Sequence, residues 1–182
     1  MNILTARVGG KTYSAAAITT GQAREAVRCM EDLAAVRAAA LALNDESGAA
    51  EIAAAVRARL RCSARQMALI CRVFGDRFTV DALEDSLSRG ELDALASEIA
   101  EAVGAIAAAY APPGCSAGAE QTAAQSMQKL YHTLAAKLQW PVSQIDAADF
   151  ESLMSFVFYR DPDVRIINGR EYRRARGVPA WL

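Results

Sequence analysis

Few side chains in this sequence are suited to catalysis. His132 is the single histidine, so a metal site built from several histidines cannot be assembled within one chain. It follows Tyr131 inside an amphipathic helical pattern, and we expect it on the helix surface rather than in a catalytic triad. Gly9, Gly10 and Gly21 do not form the complete glycine pattern of a phosphate-binding loop. The sequence therefore predicts no catalytic residue, no cofactor and no metal.

Three carboxylates crowd one predicted helical turn, at Asp81, Glu84 and Asp85. Such a cluster could act as an acid/base pair or hold a cation. Acidic residues are also favoured at a helix N-terminus, where they interact with the helix dipole. We prefer this second interpretation.

Arginines are concentrated near the C-terminus, and this is where charge could indicate a partner. Arginine and the aromatic residues are common anchors of protein interfaces, and arginine also contacts phosphate. Acidic residues at 161, 163 and 171 are interleaved with the arginines and argue against a nucleic-acid arm. A solvated tail that only aids solubility is an equal alternative. The candidate partner-binding residues are Arg170, Tyr172, Arg173, Arg174 and Trp181.

Composition limits the remaining possibilities. The chain has 182 residues, 53% of them hydrophobic, and a net charge of −1. Its abundant alanine favours helices, and its charge balance provides no general attraction for nucleic acid or anionic membranes. The cysteines form no Cys-x-x-Cys pair and no signal-peptide pattern opens the chain, so we expect reduced thiols in the cytoplasm. The longest apolar run, 104–111, is too short to span a bilayer.

The strongest local signals fall in the segment 72–87, which predicts a tight corner between two helices. Phe74 ends an apolar helix, and Gly75 is placed to adopt the left-handed conformation that stops it. Phe78 precedes a new N-cap at Thr79 or Asp81, and Asp81 with Glu84 has the spacing of a capping box. We interpret these residues as a structural corner.

Before this corner, the pattern predicts a β-hairpin turning at Gly9-Gly10 and a helix starting with a capping box at Thr19 and Gln22. A second apolar stripe runs through 50–74 and is interrupted at Cys62-Ser63, which leaves one helix or two open. After the corner, Ser88 and Glu91 form a further capping box.

The second part of the chain follows a proline- and glycine-rich linker at 111–118. Two helices are predicted there, 120–139 and, after a turn at 142–145 and a cap at Asp146, 147–159. An Asn-Gly turn near 168 predicts a second hairpin.

These elements predict a mainly α protein, a small helical bundle with a short N-terminal β-hairpin and a C-terminal helical pair that ends in a possible β-hairpin. The predicted division is a helical domain at 1–110, a linker at 111–119 and a helical extension with an arginine-rich tail at 120–182.

The order of motifs resembles that of the tail assembly chaperones of long-tailed phages and prophages. The resemblance covers most of residues 2–159, and short motifs carry it. In the first part these are Val8-Gly-Gly-Lys-Thr-Tyr13, Ile18-Thr-Thr-Gly-Gln22 and Val73-Phe-Gly-Asp-Arg-Phe-Thr-Val-Asp-Ala-Leu-Glu-Asp-Ser-Leu87. In the second part they are Leu130-Tyr131, Gln139-Trp140, Ile145-Asp146 and Asp149-Phe150.

The resemblance implies a non-enzymatic function in the host bacterial cytoplasm. The N-terminal part would bind the tape measure protein, and the C-terminal part would recruit tail tube protein, with the chaperone absent from the mature tail. In the family the extension is commonly made by a programmed ribosomal frameshift, and the linker falls where that join is expected. Homo-oligomer formation is left open, and no membrane contact is implied.

The alternative is a DNA-binding helix-turn-helix regulator built on the corner. The acids at 81, 84 and 85, where a recognition helix would be basic, and the acidic pI of about 5.9 make nucleic acid an unfavoured partner.

Overall fold

The computed structural model describes residues 3–44, 47–110, 123–159, 164–167 and 170–173. Within these ranges the chain is mainly α, as predicted. Its helices are α1 (Thr20–Leu41), α2 (Ala49–Val73), α3 (Val80–Ser86), α4 (Arg89–Tyr110), α5 (Ala123–Leu138), α6 (Val142–Ala147) and α7 (Phe150–Val157). Its strands are β1 (Leu4–Val8), β2 (Lys11–Ala15), β3 (Val164–Ile167) and β4 (Arg170–Arg173).

Both predicted hairpins are present. β1 and β2 pair antiparallel around Gly9 and Gly10, whose φ angles of 57° and 76° are those that glycine adopts at low cost. Alternate residues of β1 are buried, so one face of the hairpin covers the helices. β3 and β4 also pair antiparallel, with Ile167 opposite Arg170.

The first two long helices begin and end largely as expected. The capping box at the start of α1 is formed, with the Thr19 hydroxyl accepting from the backbone of Gln22 and the Gln22 side chain accepting from that of Thr19. α2 runs unbroken through Cys62 and Ser63, so the stripe at 50–74 is one helix. Both residues are buried, and the small side chains let α2 pack closely.

The corner after α2 is a core feature, as predicted. Phe74 is fully buried and Phe78 nearly so, with their ring centroids 5.7 Å apart. Tyr13 of β2 packs edge-on against Phe78 at 4.9 Å. Gly75 has a φ of 70°, the left-handed conformation that ends the helix. The aromatic rings thus fix the angle between α2, α3 and the hairpin.

The predicted capping box of Asp81 and Glu84 is wrong. Thr79 is the N-cap of α3, because its side chain accepts from the backbone N–H of Ala82. Asp81 therefore lies inside the first turn, where an acid still suits the helix dipole. Glu84 is two residues beyond N3, where it cannot reach back to the cap.

The capping box that starts α4 is correct. The Ser88 backbone donates to the Glu91 carboxylate at 2.7 Å, and the Glu91 backbone donates to the Ser88 hydroxyl.

The chain after α5 differs from the prediction. Gln139 has a φ of 54° and Pro141 follows, so α5 stops where expected. The residues predicted as a turn form α6 instead. Asp146 lies within α6, and Asp149 is the N-cap of α7 through a 2.8 Å bond from the Ser152 backbone.

α1 is the central element of the bundle. It contacts α2, α4, α5, α6 and α7. Buried residues from before and after the linker belong to one hydrophobic cluster, which joins Cys29 and Ile99 to Leu134 and Phe150 in the same core region. The division at 111–119 stays a prediction, since that segment lies outside the described residues. No helix in the described ranges is long and apolar enough to cross a membrane.

Candidate partner-binding surfaces

The structure describes only part of the predicted C-terminal partner surface. Arg170, Tyr172 and Arg173 fall on β4, and the Tyr172 side chain is 52% exposed. Arg174 and Trp181 lie outside the described residues. An exposed tyrosine on a hairpin suits a protein contact, and the role of this group stays a prediction.

The described residues contain no group of three or more His, Cys, Asp or Glu side chains that could hold a metal ion. His132 is exposed on α5, and the acids at 81, 84 and 85 are exposed on or near α3. Burial raises the pKa of the Cys29 thiol to about 12, which keeps it protonated and unreactive at neutral pH. Nothing in these positions resembles an activated nucleophile or an acid/base pair.

One concave surface that suits a partner is an apolar groove of about 710 Å³ between α1, α4, α5 and α7. We refer to it as the four-helix groove. Its apolar lining comprises Val27, Met30, Ala34, Ala100, Val103, Gly104, Ala107, Ala123, Met127, Leu130, Phe150, Met154 and Phe158, with Glu31, Tyr110 and Ser126 as its polar members. A volume of this size lies within the range of about 300–1,000 Å³ seen for ligand sites, so it can accept several side chains of a partner.

Two properties of its lining suit the four-helix groove to a helical partner. Small residues on α4 recur at positions 100, 104 and 107, spacings that place them on one helix face. They leave room for a second helix to approach closely. Met30, Met127 and Met154 come from three different helices, and methionine side chains adapt easily to different apolar shapes.

Gly104 lines the four-helix groove on α4, and the space beside it is open. A Cβ added there would meet nothing within 4 Å. The position can therefore carry a larger side chain without disturbing the bundle, and that side chain would enter the groove.

A polar clasp holds the C-terminal helices against α1 and so shapes the groove. Arg24 of α1 donates to Asp146 of α6 at 2.8 Å. Tyr131 of α5 donates its hydroxyl to the same carboxylate, and the Arg24 guanidinium lies 4.8 Å from the tyrosine ring centroid. Burial, together with donation to Asp146, raises the pKa of Tyr131. The phenol thus remains a donor.

Backbone bonds reinforce this clasp at the start of α1. The Thr20 N–H donates to the Ala148 carbonyl at 2.8 Å, and the Phe150 N–H donates to the Ile18 carbonyl at 2.9 Å. A Cβ at Gly21 would lie 3.1 Å from Asp146, closer than ordinary van der Waals contact, so a side chain there would require Asp146 to shift slightly.

Sequence reasoning missed both the groove and the clasp. Asp146 was expected to cap a helix, and its partners are far away in sequence, at Arg24 and Tyr131. The small-residue spacing at 100, 104 and 107 is visible in the sequence and is the signal that could have indicated a helix-contact face. Comparison of the chain with family models, with curated proteins and with solved structures finds no match.

Proposed function

We propose that this chain is a tail assembly chaperone of a long-tailed phage or prophage. In this proposal its N-terminal part binds the tape measure protein and its C-terminal part recruits tail tube protein, and the chaperone is absent from the finished tail. The proposal joins the resemblance of the motifs to one structural observation, the open apolar groove in a helical bundle.

The four-helix groove supports the tape measure contact. A tape measure protein is a very long helical chain, and such a chain exposes apolar helix faces before the tube covers it. A groove with a small-residue wall and methionines, whose side chains adapt to different apolar shapes, can take many such faces in turn, because it demands no exact side-chain shape. Binding of this kind needs no catalytic group, in line with a non-enzymatic role.

The exposed Tyr172 and the arginines of β4 support the tube contact. They follow α7 in the chain and are not among the residues that line the four-helix groove. The two partners would then use different surfaces of one chain, as recruitment of tube subunits to a bound tape measure requires.

The alternative, a DNA-binding helix-turn-helix protein, finds less support. The helix after the corner, α3, has seven residues, an acid in its first turn and exposed Glu84 and Asp85. If α3 were a recognition helix, these acidic side chains would lie close to the negatively charged phosphates of DNA, and the like charges would repel each other.

The proposal is tested by capture of purified tube and tape measure proteins from the same gene cluster, using the full chain and a chain lacking residues 161–182. We expect both forms to capture tape measure protein and only the full chain to capture tube protein. A duplex-DNA titration at two salt concentrations runs alongside. Tight DNA binding whose affinity falls steeply with salt, by a log–log slope of about −0.9 per phosphate contacted, would overturn the assignment.

A further inference from the structure

The first half of α2 exposes an apolar stripe that continues the core face of the same helix. Ile52, Val56 and Leu60 are 46%, 53% and 53% exposed. They are spaced four residues apart and so lie on one face. Further along the helix, Met67 and Ile70 on the corresponding face are buried in the bundle core. The helix thus extends past the core and carries its apolar face into solvent.

This stripe borders a second concave surface, which we call the hairpin groove because it lies beside the helical hairpin formed by α1 and α2. It has a volume of about 490 Å³ and lies between α1, α2 and the start of α4. Its apolar members are Val36, Ala40, Leu43, Ala55, Val56 and Leu60. Ile52 extends the apolar surface one turn further along α2.

The rim of the hairpin groove is basic. Three arginines line it, Arg37, Arg59 and Arg89, against a single acid, Asp93. Asp93 accepts from Arg59 at 2.8 Å and lies 3.7 Å from Arg37. Arg89 forms no ion pair with any residue that the structure describes. Among the residues that the structure describes, the groove therefore combines an apolar floor with a net positive rim.

We infer that the hairpin groove binds an amphipathic helix of a partner protein whose apolar stripe is flanked by acidic residues. The apolar stripe would cover Val56 and Leu60, and the acids would meet Arg89 and the other rim arginines. A second copy of this chain fits less well, because a symmetric contact would bring the same arginines face to face. Charge complementarity thus selects the acidic helix among the possible occupants.

This inference does not depend on the proposed function. The hairpin groove lies at the far end of α1 from the clasp and shares no lining residue with the four-helix groove. A synthetic probe tests it, so failure of the inference and failure of the chaperone assignment give different results.

The probe is a fluorescently labelled helical peptide of about 20 residues, roughly 30 Å long. It carries a leucine stripe with glutamates on both flanks, and a matched peptide carries lysines in place of the glutamates. Each peptide is titrated against the full chain by fluorescence anisotropy at low and high salt. We expect the glutamate peptide to bind at least about tenfold more tightly than the lysine peptide, and the difference to shrink as salt screens the arginines.

Three variants locate the binding surface. The double substitution Val56→Gln and Leu60→Gln should weaken binding of the glutamate peptide about tenfold or more. Arg89→Gln should weaken it less and flatten its salt dependence. Leu41→Gln is the control, because Leu41 is 87% exposed on the same helical hairpin but outside the groove, and it should leave binding unchanged.

Several results would overturn the inference. They are equal binding of the two peptides, no binding of either, or no loss in the Val56/Leu60 variant while circular dichroism shows it folded. A dimer of the wild-type chain on size-exclusion chromatography that this variant converts to monomer would assign the surface to a second copy instead.

Discussion

Removing the carboxylate of Asp146 should weaken the polar clasp that joins α5 and α6 to α1. In Asp146→Ala the Tyr131 hydroxyl loses its charged acceptor, a partly buried hydrogen bond that contributes about 1.5–3 kcal/mol. The ion pair with Arg24 contributes less, about 0.2–1 kcal/mol, because the two side chains are 30% and 31% exposed to solvent. We therefore expect a loss of roughly 2–4 kcal/mol in the free energy of unfolding.

The assay is urea unfolding followed by circular dichroism and by tryptophan fluorescence, with thermal melting as a second measure. At about 2–4 °C per kcal/mol for a chain of this size, the loss lowers the Tm by roughly 5–15 °C. Tyr131→Phe and the double variant complete a thermodynamic cycle. We expect a coupling free energy of about 1 kcal/mol or more between Tyr131 and Asp146. Additive effects within about 0.3 kcal/mol would refute the bond between Tyr131 and Asp146 as a stabilising part of the clasp.

Three further predictions concern the core, a helix cap and the linker. Phe74→Ala should lower the free energy of unfolding by about 3–5 kcal/mol because the ring is fully buried. Phe156→Ala, on the surface, should change it by less than about 0.5 kcal/mol. Equal effects would contradict the role of Phe74 as a core residue of the corner. Hydrogen bonds from Ser88 hold the pKa of the Glu91 carboxyl below its usual value, so the stabilisation by the ionised carboxylate is present at neutral pH and is lost as pH falls through the lowered pKa. The Tm difference between wild type and Glu91→Gln should therefore shrink below about pH 4.5. A difference that stays constant with pH would contradict this. Limited proteolysis should cut first within 111–118, and the two fragments should co-elute because they share a core; their separation would contradict that packing.

Local signals were sufficient for most of the helix boundaries and turns. The Gly9-Gly10 turn, the Thr19–Gln22 box and the Ser88–Glu91 box each depend on residues within three positions of one another. Such geometry is encoded in the sequence itself.

Signals that depend on distant residues were misread. Aspartate is a favoured N-cap residue, so Asp146 and Asp149 are both suitable candidates. In the structure Asp149 is the cap of α7, and Asp146 lies within α6, where it binds Arg24, 122 positions away in the sequence. In the same way, one apolar stripe along α2 holds both the exposed Val56 and the buried Ile70. Periodicity identifies the apolar face of a helix but not what covers it.

The four-helix groove was not predictable for the same reason. Its walls come from helices on both sides of the linker, and only the packing of α5 and α7 against α1 and α4 brings them together. The small residues of α4 indicated a close contact without indicating with which element.

The central claim, that the four-helix groove receives a helix of the tape measure protein, is tested most directly by a groove-filling substitution. Gly104→Leu places a side chain into open space in the groove, and leucine favours helix over glycine by roughly 0.5–1 kcal/mol. The fold should therefore remain intact. Gly90→Leu is the matched control, because Gly90 lies on the same helix, has equally open space and does not line the groove.

The measurement is the amount of soluble tape measure protein that co-purifies with each tagged, full-length variant after co-expression. Our account predicts that wild type and Gly90→Leu retain it and that Gly104→Leu, folded by circular dichroism, loses it. Equal recovery with all three chains, or no recovery with wild type, would contradict the account.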